Sequence, residues 1–106
     1  MPLLVTLLAH DGSLAGGLSG SISYGWLFVD ILWVDSAARS QGYGRSLMLA
    51  AEAEARKRGC RYAWLDTFSF QARGFYEKLG YAVFGELHDF PAGHSRFFLR
   101  KKLEDQ

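Results

Sequence analysis

The sequence predicts an α/β chain, a mixed sheet with helices laid on it, in the order β-β-β-α-β-α-β-β. Three observations carry that prediction. Runs of branched and aromatic residues recur between turn signals, one alanine-rich stretch keeps a helical period over several turns, and a shorter helical stretch separates two later strands. The chain has 106 residues, 49% hydrophobic and 15% aromatic, which suffices for one small core. A single domain over residues 1–106 is therefore expected.

Taken in order, "PLLVTLLAH" reads as a strand, Asp11-Gly12 as a turn, and the glycine-rich stretch from about Leu14 as the second arm of a hairpin. Tyr24-Gly25 breaks the pattern. "WLFVDILWV", residues 26–34, has the density of a central strand buried on both faces, with Asp30 as its anomaly. A polar loop leads to "GYGRSLMLAAEAEARKR", a helix in which Leu47, Met48, Ala51 and Ala55 share the core face. Glu52 to Arg56 and Glu54 to Arg58 are spaced for exposed ion pairs, the basic end complements the helix dipole, and Gly59 stops the helix. "RYAWLDTF" returns to strand around residues 61–68, and "QARGFYEKL" is a short helix closed by Gly80. Strands at about Tyr81–Leu87 and Arg96–Leu103 follow, parted by the loop "HDFPAGHS".

Composition narrows the function. Twelve Lys and Arg against eleven Asp and Glu create no net field, so neither nucleic acid nor an anionic membrane surface is an expected partner. No apolar run approaches a membrane span, and the start lacks the charged-then-apolar layout of a signal peptide. With Cys60 as its lone cysteine, the chain reads as a reduced, cytoplasmic protein, and Cys60 as a small buried residue. His10, His88 and His94 have no paired ligand spacing, so no metal site is expected. Trp26 and Trp64 are expected in the core.

The chemistry concentrates at "RSQGYGRS", where a strand hands over to the long helix. Gly42 and Gly44 permit torsions and close approaches that other residues forbid. The first helical turn presents unpaired N–H groups and the positive end of the dipole, and Arg39 and Arg45 flank it, making a pocket suited to a pyrophosphate. A P-loop would need Gly-Lys-Ser/Thr, and a dinucleotide-binding loop would need glycine where Leu47 stands.

Arg39-Ser40-Gln41-Gly42-Tyr43-Gly44 resembles the R/Q-x-x-G-x-G/A motif of the GNAT superfamily of N-acetyltransferases, and "ARGFYEKLGY", residues 72–81, resembles that superfamily's A-x-x-F-Y-E-K-L-G-F signature. The resemblance covers about residues 13–103. It implies a mixed, mostly antiparallel sheet flanked by helices, and acetyl-CoA as cosubstrate without a metal. Arg39, Ser40, Gln41, Gly42, Tyr43, Gly44 and Arg45 would cradle the pyrophosphate, and the backbone of Leu32, Trp33 and Val34 would meet the pantetheine arm where the neighbouring strand diverges. The chain departs from the family in opening almost directly on the hairpin, without the usual N-terminal strand and helices that wall the acceptor groove. It also has Ser69 where members often carry an Asn that contacts pantetheine; a helix cap is the other reading of Ser69.

For mechanism, the resemblance puts Tyr76 where the family's tyrosine protonates the departing coenzyme A sulfur, against the alternative of a packed helix aromatic. Asp30 lies where several polyamine-type members carry an acid, and stands evenly between a base for the amine and a structural acid, either paired with a neighbouring Arg or exposed at a strand splay. The expected activity is acetyl transfer to a primary amine of a small molecule or peptide by direct attack in a ternary complex. A non-catalytic CoA-binding or dimerising module is the alternative. The short start is expected either to belong to a longer protein or to leave apolar surface that a second copy covers, giving a homodimer with "RFFLRKKL" as an available edge.

Overall fold

The computed structural model describes residues 1–39 and 41–103. Six strands form one sheet: β1 (Pro2–Leu8), β2 (Leu14–Ser23), β3 (Trp26–Val34), β4 (Tyr62–Phe68), β5 (Ala82–His88) and β6 (Ser95–Lys102), in spatial order β1-β2-β3-β4-β6-β5. Every neighbouring pair is antiparallel except β3 and β4. A parallel pair needs a crossover, and helix α1 (Tyr43–Lys57) supplies it. Helix α2 (Arg73–Lys78) joins β4 to β5. The order of elements is the one that the sequence predicts.

Both helices lie on one face of the sheet. Leu47, Met48, Ala51 and Ala55 of α1 are buried, with Leu3, Leu18, Leu27, Val29, Ala63, Leu65, Phe97 and Leu99 in the same cluster, and Phe75 and Tyr76 of α2 pack against it. The two alanines let α1 sit close to the strands. Cys60 is buried just past the stop at Gly59, as expected, and burial pushes its thiol pKa up.

Four expectations need correction. Glu52 makes no surface pair with Arg56: it is 1% exposed, accepts a hydrogen bond from Tyr81 Oη at 2.8 Å and pairs with Lys101 Nζ at 2.8 Å. The spacing rule finds Glu54 with Arg58, at 2.9 Å, but misses partners that the fold brings from β6 and from the residue just before β5. Second, β3 is buried only over its first half, and Asp30, Ile31 and Trp33 are exposed. Third, β6 lies between β4 and β5 and offers no edge; the edges are β1 and β5. Finally, Trp26 and Trp64 are half-buried on the face opposite the helices, where Trp26 stacks on Tyr62 at 4.7 Å and Phe28 meets Trp64 at 4.3 Å with the ring planes tilted by 30°.

Candidate active site

The site arises where β3 leaves β4. They pair only over Trp26–Phe28 and Tyr62–Trp64, then separate. On the other side of β3 the register with β2 shifts so that Ser19 faces Ile31 and Gly20 faces Val29, leaving Asp30 without a partner. A bulge of this kind bends its strand and re-aims its side chains. Beyond it β3 opens a cleft of about 440 Å³, walled on one side by Asp30, Leu32, Trp33 and Val34, and on the other by Asp66, Thr67, Gln71, Ala72, Phe75 and Tyr76. A second hollow of about 260 Å³ is lined by Val34, Arg39, Gly42, Tyr43, Gly44, Arg45 and Phe75. Val34 and Phe75 are common to both, so the cleft runs on to the start of α1.

At that start the two glycines have different jobs. Gly42, the N-cap residue, has φ 80°, a left-handed conformation costly for a residue with a Cβ, and open space lies beside it. Gly44 is needed for closeness, since a Cβ there would meet Phe75 Cζ at 3.3 Å, which brings α1 against α2. Among the described residues no side chain caps α1 and its first turn holds no acid, so amides that lack acceptors inside the helix combine with the dipole and two arginines. The residues present fit an anion. Arg39 is also tied to the cleft: its Nε donates to the Val34 carbonyl at 3.1 Å. Gln41 and Tyr43 line a neighbouring hollow with His10 and Ala38, and Ser40 lies outside the described residues.

Tyr76 lines the cleft half-buried, edge-on to Phe75 at 5.1 Å and to Tyr81 at 6.2 Å. Burial, and secondarily the charge of Asp66, raise its phenol pKa, so the hydroxyl holds its proton at neutral pH. Asp66 is a cleft residue that sequence reasoning missed. Alternation in "RYAWLDTF" marks it as facing the same way as Trp64 and Phe68, but nothing local shows that β4 diverges from β3 at that height. Ser69 does not cap α2, whose N-cap is Ala72 with no side-chain bond. Its hydroxyl accepts from the Ser95 amide at 3.0 Å, because the β4–α2 turn docks on the start of β6, and it is not a wall residue of the cleft. Gln71 takes the local bonding role instead, accepting from Phe68 N at 2.9 Å and Thr67 Oγ1 at 3.1 Å. Among the described residues no group of three or more His, Cys, Asp or Glu could hold a metal ion.

Residues 2–81 match the sequence model of the acetyltransferase (GNAT) family. The chain is 45% identical over 93 residues to blasticidin-S acetyltransferase of Streptomyces morookaense, covering 87% of this chain and 68% of that protein. It is 41% identical over 101 residues to an acetyltransferase of Agrobacterium fabrum, covering 95% and 74%. Among solved structures, an acetyltransferase from Bacillus cereus superposes with a TM-score of 0.92 at 40% identity, over 97% of this chain and 74% of that one. A parted parallel strand pair, a glycine-capped helix start and these relatives agree: the chain belongs to the GNAT family of acetyltransferases.

Proposed function

We propose that the protein is an N-acetyltransferase that moves an acetyl group from acetyl-CoA to the primary amine of a small molecule or peptide, with both reactants held in one cleft. The observation that carries this reading is that Asp30 and Tyr76 line the same cleft, which runs on to the glycine-capped start of α1. Acetyl-CoA, when bound, supplies an activated thioester to a neutral amine.

The amides of the first turn of α1, with Gly42, Tyr43 and Gly44, would hold the pyrophosphate, and Arg39 and Arg45 would balance its charge. Gln41 precedes the cap and Ser40, adjacent in sequence, belongs to the same motif. The stretch of β3 that β4 leaves unpaired, at Leu32, Trp33 and Val34, would pair with the pantetheine arm, with Arg39 Nε already on the Val34 carbonyl. An amine of pKa about 10.4 costs about 4 kcal/mol to hold neutral at pH 7.4, and Asp30, exposed at the bulge, would accept the proton that the amine gives up on attack. Tyr76 Oη keeps a proton ready for the departing sulfur.

The reading extends to a cytoplasmic homodimer. The face opposite the helices carries Trp26, Trp64, Phe84 and Phe98 around a groove of about 440 Å³, with Arg100 over the Phe84 ring at 5.5 Å, and this mostly apolar surface supports burial by a second copy. The activity is tested by thiol release from acetyl-CoA across a panel of primary amines, with the acetylated product identified by mass. Amine-dependent release is expected. Binding of coenzyme A with no turnover on any amine would overturn the enzyme in favour of a binding module.

A further inference from the structure

Beside the Asp66 wall of the cleft stands a ladder of aromatic rings. Phe68 stacks on Phe70 with centroids 5.3 Å apart and planes at 2°, and on Phe90 at 6.2 Å and 26°. The ladder is tied to the cleft twice. Asp66 takes a forked ion pair from Arg96, Nε to Oδ1 at 3.2 Å and Nη2 to Oδ2 at 3.1 Å, and that guanidinium lies over Phe68 at 5.8 Å and Phe90 at 5.2 Å. Gln71, another wall residue, accepts from the Phe68 amide at 2.9 Å.

The ladder is also braced from outside. Phe90 N donates to His94 O at 3.1 Å, Gly93 N to Asp89 Oδ1 at 3.0 Å, and His94 meets Phe70 edge-on at 4.9 Å. A cluster serving only its own packing would bury its rings. Phe70 is instead 56% exposed and Phe90 44%, although the ring between them is half-buried. Flat rings so braced lose little further freedom when another ring stacks on them, and offset or edge-on pairing adds to the gain from area alone.

We infer that Phe70 and Phe90 form a stacking subsite for the acceptor, whose class is a primary amine carrying a planar unsaturated ring. The inference rests on the acetyl-transfer reading of the cleft: the ring would lie on the ladder and the amine would enter the cleft past its Asp66 wall.

The test compares 2-phenylethylamine with 2-cyclohexylethylamine, which match in charge and nearly in apolar size but differ in planarity. Binding of each to protein saturated with coenzyme A is measured by calorimetry. The aromatic amine is expected to bind about fivefold or more tightly, and Phe70→Leu or Phe90→Leu, which keep apolar volume without a flat face, are expected to reduce that preference with coenzyme A affinity unchanged. Equal affinities, no binding of either amine, or a preference intact in both variants would overturn the subsite. Failure to bind coenzyme A at all would instead overturn the reading of the cleft, and the subsite with it.

Discussion

Gly42 and Gly44 stand at the start of the same helix for unlike reasons, and their substitutions separate the two. Gly42→Val must hold a branched side chain at φ 80°, a strain of about 1–2 kcal/mol or more, and puts methyl groups beside the amides that would meet phosphate. Gly44→Val must displace Phe75. Both are expected to abolish acetyl-CoA binding with the fold retained, checked by calorimetry and circular dichroism; binding within a few-fold of wild type would contradict the phosphate cradle. Tyr76→Phe should keep coenzyme affinity and lower turnover by about 10²- to 10⁴-fold, the range for loss of a general acid, measured by thiol release. The sign of the pH dependence follows from burial: a phenol whose pKa is raised stays protonated as pH rises, so loss of activity from Tyr76 should begin only above the ordinary tyrosine value of about 10. Asp30→Asn should move the activity profile to higher pH, because more of the amine must then be neutral without help.

At the scale of elements, Glu52 ties α1 to β6 through Lys101 and to the start of β5 through Tyr81. Glu52→Ala leaves a buried phenol and a largely buried ammonium without their acceptor, so a loss of about 1–3 kcal/mol is expected, toward the lower end because Lys101 can turn to water. The shift of the denaturation midpoint measures it. Burial and the adjacent carboxylate hold the Tyr81 phenol far above its ordinary pKa. The folded state therefore keeps this proton when the unfolded chain loses its own, and stability should fall as pH rises past about 10. Glu52 also marks where the sequence stops being legible. The core face of α1 follows from a local period, so Leu47, Met48, Ala51 and Ala55 are recovered in full, whereas Glu52 looks solvent-facing until residues 29 and 49 positions away close over it. The bulge at Asp30 is illegible for a similar reason, being a mismatch between two strands. The places of the motif glycines at the start of α1 and of Tyr76 on α2 are legible because they follow from local sequence; Asp66 and the Ser69 bond to Ser95 depend on which strands become neighbours.

Across the whole molecule, the helices cover one sheet face and leave aromatic surface on the other. At about 25 cal/mol per Å², that surface favours association, and light scattering at micromolar concentration is expected to show a homodimer. A monodisperse monomer would contradict it. Trp26→Arg and Phe98→Arg should weaken the dimer, since each would bury an unpaired charge if the pairing persisted. In the proposed reaction one cleft holds both reactants at once, so that the amine attacks the thioester directly. Initial rates measured while acetyl-CoA and an accepted amine are varied together test it most directly. Intersecting reciprocal plots are predicted, as a ternary complex requires; parallel plots, showing that acetyl first passes to the protein, would contradict the account.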